Sequence, residues 1–194
     1  MCGIAGVIDL LQDSQRDATD LQRMLDRLRH RGPDHRGTFL GPRAALGVQR
    51  LSVVDVETGH QPISNEECTV HFVSNGELYY HAELREQLIA EGHRFSTHAD
   101  TEILVHSYET WGFGGLLERI DGMFAFVLHD ERFATTFIAR DRLGIKPLVY
   151  CRSGRTGAGG PRGVFRSRGD RSGESARLSG AGVRGPVVLP LCQS

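Results

Sequence analysis

Apolar residues over the first 150 positions recur in two rhythms. In DATDLQRMLDRLRHRG, residues 17–32, Leu21, Met24, Leu25 and Leu28 fall at helical spacing, and Gly32-Pro33 closes the run. HAELREQLIAEGH (81–93) and DTEILVHSYETWG (100–112) also read as helices, each closed by a glycine. CGIAGVID (2–9) reads as a buried strand whose small residues admit another backbone closely. AALGVQRLSVVD (44–55) and TVHFVSNG (69–76) read as strands. GMFAFVLHD (122–130) and TTFIARD (135–141) read as a strand pair joined by the polar ERFA. Mostly hairpin-like strands interleaved with about three helices predict an α+β arrangement, its sheets covered by helices. No internal repeat interrupts the pattern.

The rhythm stops after Tyr150. Residues 151–194 are rich in Gly, Arg and Ser and lack apolar periodicity, so the chain divides into a domain at 1–150 and a tail at 151–194. Such a tail buries too little surface to offset chain entropy and is expected to be disordered. An Arg/Gly-rich nucleic-acid segment is the binding alternative, but it would lack aromatic interleaving apart from Phe165. A third hypothesis is an out-of-frame product. Lys146 is the only lysine among 23 basic residues, a bias expected of GC-rich coding sequence, whose other frames yield Gly, Arg, Ala, Ser and Pro. Translating the two other frames beyond Tyr150 tests this: a periodic globular sequence supports it, and its absence from both refutes it.

With 194 residues and 39% hydrophobic content, the chain can build one sizeable core. A net charge of -1 gives no global pull toward nucleic acid or anionic membrane, so small partners fit best. No apolar run reaches the roughly 20 residues of a spanning helix and no signal peptide opens the chain, so a cytoplasmic protein is expected. Cys2, Cys68, Cys151 and Cys192 show neither a C-x-x-C pair nor His partners at metal spacing. No metal site is expected, and His106 on its apolar helix reads as a satisfied core histidine.

Cys2 draws attention because removal of Met1 would leave a thiol and a free α-amine on one carbon. These groups titrate within about one pH unit of each other, so the amine can take the thiol proton directly or through one water. This is the logic of the N-terminal nucleophile, which needs no separate histidine. The bland alternative is a small residue opening a buried strand. Arg50, at the end of an apolar segment, needs an anionic partner: a substrate carboxylate, or a structural ion pair with Asp55 or Asp34. Asn75-Gly76 is either a hairpin turn or a pair of donors for a developing oxyanion, with Glu77 beside it. Asp100 precedes a helix as a plain N-cap or as the carboxylate that receives a substrate ammonium. Together these groups would define a site for a free amino acid.

The motifs MCGIAGVID, RHRGPD, RLSVVD, NGELY, DTEIL, DGMFAFVLHD and RDRLGIKPLVY stand in one order. Over roughly the first 150 residues the chain thereby resembles the glutaminase domain of class II glutamine amidotransferases, closest to glutamine-hydrolysing asparagine synthetase. The resemblance implies an N-terminal-nucleophile hydrolase with a four-layer αββα sandwich. It implies that Cys2 attacks the side-chain amide of L-glutamine while Asn75 and the Gly76 amide hold the oxyanion. Arg50 would hold the α-carboxylate, Leu51, Ser52, Val53 and Val54 would line the pocket, and Glu77 and Asp100 would receive the α-amine. Water would then resolve a thioester to glutamate.

Two positions depart from the family pattern, Tyr80 where an asparagine is common and Gln49 before the arginine. Neither carries an assigned role. The larger departure is that no SGG-type pyrophosphate loop follows. No cofactor is therefore expected in this chain, ATP and magnesium belonging to the synthetase half, which a separate domain or subunit would have to supply. The alternatives are a catalytically inactive truncated fragment, or a glutaminase serving a different acceptor synthetase.

Overall fold

The computed structural model describes residues 1–9, 14–53, 55–153, 162–167 and 189–191. Strands β1 (Gly3–Asp9), β2 (His35–Leu40), β3 (Ala44–Arg50), β8 (Leu148–Ser153) and β9 (Arg162–Ser167) form one sheet in the order β2-β3-β1-β9-β8. Strands β4 (Ile63–Ser64), β5 (Val70–Tyr79), β6 (Asp121–Asp130), β7 (Thr135–Arg140) and β10 (Leu189–Leu191) form the second, in the order β10-β7-β6-β5-β4. All of these pairings are antiparallel.

Helix α1 (Ser14–Leu28) lies on the outer face of the first sheet, because Leu21, Leu25 and Leu28 repeat at helical spacing and pack on Ala5, Val7 and Ala45. The opposite residues of β1 and β3, Ile4, Ile8, Ala44, Leu46 and Val48, face Val73, Ala125, Val127 and Ile138 of the second sheet. Helix α3 (Glu102–Arg119) covers that sheet's other face, where Leu104, Leu116 and Leu117 meet Phe72, Phe124 and Phe126. The short α2 (His81–Ala90) packs beside it. Helix, sheet, sheet and helix follow one another, which is the α+β, four-layer αββα sandwich.

Three local features differ from the sequence reading. The strand read as 69–76 does not stop at Gly76: β5 runs on to Tyr79, paired with β6 throughout, and the chain turns only at Tyr80 with φ 51°. The helix that starts at Glu102 continues past Trp111-Gly112, bent where Gly112 takes φ 66° and ψ 178°. The first sheet also extends beyond Tyr150. β8 reaches Ser153, and β9 is inserted between β8 and β1, so part of the Gly/Arg/Ser-rich stretch has regular backbone pairing. Backbone hydrogen bonds, which need no apolar periodicity, account for that. In the second sheet β10 (Leu189–Leu191) pairs with β7 in the same way, and the rest of the 151–194 tail reading falls outside the described residues. Among the described residues no helix is long and apolar enough to cross a membrane.

Inside α3, His106 is 2% exposed and sits between two carboxylates, 3.8 Å from Glu102 and 3.5 Å from Glu109. Burial opposes its charge, but Glu102 and Glu109 outweigh burial and push its pKa up to about 9. Burial likewise works against Glu102, yet His106 and the hydroxyls and amides of Thr97 and Ser96 hold it at about 2. A raised histidine pKa means stability fully present below the unfolded value near 6.5 and lost as pH rises through about 9. Chemical denaturation should therefore show stability falling between about pH 6.5 and 9 in the wild type, with that slope flattened in His106→Gln. Equal slopes in both proteins would refute the assignment.

Candidate functional site

The antiparallel pairing of Gly3 with Gln49 delivers Cys2 to the end of β3, where its Sγ lies 3.7 Å from the Leu51 carbonyl oxygen. The site opens at this edge of the sandwich, where the first sheet's strand ends face the middle of β5. A cavity of about 180 Å³ there is lined by Cys2, Arg50, Leu51, Val53, Asn75, Gly76, Glu77 and Asp100, all candidates from the sequence. It is also lined by Met1, Gly59, Gln61, Ala99, Thr101, Met123 and Lys146, which motif reading missed. These come from loops or neighbouring strands with no chemical signature; only Lys146, as the chain's lone lysine, carried a signal. Ser52 is not among the lining residues and donates its amide to Asp34 Oδ2 at 2.8 Å. Val54 lies outside the described residues.

Arg50 is 4% exposed and donates to the carbonyls of Asp55 at 2.7 Å and Val56 at 3.3 Å, so the following turn holds its guanidinium at the cavity wall. The Asp55 carboxylate accepts from the Thr58 hydroxyl at 2.7 Å and the His98 amide at 2.8 Å, tying this turn to the loop that carries Asp100. Thr58, and with it the His98 and Thr58 amides, holds the Asp55 pKa below the usual carboxylate range.

Asn75 is buried in mid-strand, opposite Ala125, and its Nδ2 donates to no group among the described residues. A buried amide donor without an acceptor costs about 1–3 kcal/mol, a cost recovered when an acceptor enters the cavity. Gly76 follows it because the strands approach too closely for a side chain. A Cβ at Gly76 would stand 2.3 Å from the Met123 carbonyl oxygen and 2.7 Å from Phe124 Cα. Glu77 is exposed at the rim.

Asp100 is not a plain N-cap. Thr101 occupies that position, and Asp100 Oδ2 instead accepts the Leu78 amide of β5 at 2.9 Å. Burial raises its pKa, with the Leu78 amide working against the rise, so an entering cation would favour its charged form. Away from the cavity, Glu66, His93 and His106 bring ligand atoms within 4.8 Å of one another, but His106 is engaged as a cation by Glu102 and Glu109. Cys68, also distant from this cavity, is exposed and free.

Residues 1–160 match the family model for a glutamine amidotransferase domain. The chain belongs to the glutamine amidotransferase domain family. It is 40% identical over 159 residues to asparagine synthetase (glutamine-hydrolyzing) 3 of Bacillus subtilis (strain 168), covering 79% of this chain and 25% of that protein. It is 39% identical over 149 residues to a probable asparagine synthetase (glutamine-hydrolyzing) of Dictyostelium discoideum, covering 76% and 27%. The corresponding Arabidopsis thaliana enzyme 2 is 42% identical over 148 residues, with 76% and 25% covered. The chain thus spans about a quarter of the length of these curated relatives. Among solved structures it is similar in fold to glutamine phosphoribosylpyrophosphate amidotransferase from B. subtilis, with TM-score 0.63 and 21% identity over 85% of this chain and 41% of that one.

The Gly76 contacts give a direct stability test. Gly76→Ala forces β5 and β6 apart beside Asn75 and should cost roughly 1–3 kcal/mol, read as a lower thermal midpoint. An unchanged midpoint would show that the strands can move aside freely.

Proposed function

We propose that this domain hydrolyses the side-chain amide of L-glutamine, with Cys2 as nucleophile once Met1 is removed, and yields glutamate and ammonia. The observation that carries the reading is the buried Asn75 Nδ2, without an acceptor among the described residues, on the same cavity as the Cys2 thiol. Such a donor stabilises charge that develops on a carbonyl oxygen as sulfur attacks. Arg50 and Asp100 on the same wall supply a cation for an α-carboxylate and an anion for an α-ammonium, with Glu77 at the rim.

In the proposed sequence the Cys2 thiol gives its proton to its own α-amine, and the thiolate adds to the glutamine amide carbon. The oxyanion is received by Asn75 Nδ2 and the Gly76 amide. The protonated amine then donates to the departing nitrogen, the carbon–nitrogen bond breaks, and ammonia leaves a γ-glutamyl thioester. Water, deprotonated by the amine, adds to the thioester and releases glutamate with the thiol restored. Every step uses groups of this chain and its substrate. Leu51 and Val53 supply apolar lining, while Ser52 acts indirectly by holding Asp34.

The names of the relatives extend the proposal to the ammonia, which would serve an asparagine-synthetase-type amidation performed by a separate ATP-dependent domain or subunit. The reaction itself is tested by glutamate release from the processed chain, with intact mass confirming a Cys2 start. Cys2→Ala should abolish release, and Asn75→Ala should lower kcat by roughly 10²–10³-fold. Release that survives Cys2→Ala would overturn the reading.

A further inference from the structure

Strand β4 pairs with β5 through Ile63 with Phe72 and Ser64 with His71, so from Val73 onward this edge of β5 has no strand beside it among the described residues. An antiparallel strand sends the amides of alternate residues to opposite sides. The outward set on β5 is read from its bonds. The Val70 amide donates to Asn65 Oδ1 at 2.9 Å, the Ser74 amide to Gln61 Oε1 at 2.7 Å and the Leu78 amide to Asp100 Oδ2 at 2.9 Å. Gly76 belongs to the same alternating set. Its amide therefore leaves this edge between Ser74 and Leu78, on the side of the cavity that Gly76 lines.

Side chains thus replace a missing strand, and the two that flank Gly76, from Gln61 and Asp100, both line the cavity. Asp100 already has a reading as a ligand group, whereas Gln61 has none. Gln61 is 6% exposed, and its Nε2 donates to Ser74 Oγ at 3.3 Å, so both polar ends of its carboxamide are engaged by one buried residue of β5. Its backbone is fixed from the other side, where the Gln61 carbonyl packs on Gly37 of β2 so closely that no Cβ fits there. The loop that leads to it holds Arg50 through the Asp55 and Val56 carbonyls, and the Gly59 amide donates back to Asp55 at 3.1 Å. Gln61 therefore joins the Arg50 edge of the first sheet to β5, one residue before Asn75.

We propose that Gln61 is a positioning residue for the oxyanion donors: its carboxamide clamps Ser74 and so fixes the aim of the Asn75 side chain and the Gly76 amide that follow it. Gln61 acts through the strand and not on the reacting atoms. Without the clamp the Ser74 amide loses its acceptor, and β5 must shift or admit water to satisfy it. That adjustment would fall beside the two groups whose direction decides how well a developing negative charge is held. Asp100 anchors the far side of Gly76 at Leu78, so the donor pair lies between two side-chain anchors. The inference rests on the reading of Asn75 and Gly76 as the oxyanion donors of the proposed reaction.

Gln61→Met keeps the length of the side chain and removes both bonds to Ser74. In the processed chain it should lower kcat for glutamate release roughly tenfold with KM for glutamine unchanged, because the loss falls on an interaction made in the transition state. In an Asn75→Ala background the same substitution should lower kcat far less, since the side chain it aims is gone. Amide exchange followed by NMR on the ligand-free chain gives a readout that needs no turnover: Ser74 should exchange roughly tenfold faster or more in Gln61→Met, with Val127 in β6 unchanged. Gln61→Ala takes its place if Gln61→Met lacks a cooperative unfolding transition. A folded variant with wild-type kcat, an equal loss in the Asn75→Ala background, or unchanged Ser74 exchange would each overturn the inference. A wild type that releases no glutamate would refute the proposed reaction, and Ser74 exchange would still decide whether Gln61 clamps the strand.

Discussion

The aliphatic layer between the two sheets fixes where everything else can be. Ile4, Leu46 and Val48 on one sheet interlock with Val73, Ala125 and Val127 on the other. Because side chains alternate along each strand, this layer sets which residues of β1, β3 and β5 point inward and how far each strand end projects. The start of β1 and the end of β3 then meet the centre of β5, and Cys2, Arg50 and Asn75 share one cavity. A slip of one residue in β5 would turn Asn75 to the other face. The close approach of Gly76 to Met123 and Phe124 ties that register to β6 as well.

The fold's centre was legible in the sequence because its strands and helices carry strong periodicity. Leu21, Leu25 and Leu28 marked α1, and the continuous apolar runs marked β1, β3 and β6. What escaped were elements whose side chains alternate weakly or are dominated by glycine and arginine: β2, the two-residue β4, and β8 with β9. Those strands are specified by the pairing partner more than by their own residues. At the site, the order of motifs made Cys2, Arg50, Asn75, Gly76, Glu77 and Asp100 candidates, and all six line the cavity. Two local alternatives also resolved on geometry. Asn75-Gly76 lies inside a strand and not in a turn, and Asp100 reaches back to Leu78 and does not cap its helix. Gln61 and Met123 were invisible as site residues because only the packing of separate loops and strands brings them to Cys2, and Lys146 stood out only as the chain's lone lysine.

Charge is distributed unevenly between the site and the helix that buttresses it. His106 lies between Glu102 and Glu109, one cation shared by two carboxylates, with Asn65 donating to Glu109 at 2.7 Å and so joining the strand region to α3. The cavity keeps an amide donor without an acceptor among the described residues and a carboxylate with a raised pKa. Unsatisfied groups are costly in a structural core and useful where a ligand completes them.

The central claim is that the cavity carries acyl transfer to Cys2, and the most direct measurement is to trap the intermediate. Processed chain mixed with glutamine and quenched in acid within the first turnovers should show, by peptide mass, a γ-glutamyl adduct on the N-terminal Cys2 peptide that decays as glutamate accumulates. A processed, folded chain that binds glutamine yet forms neither adduct nor glutamate would contradict the account.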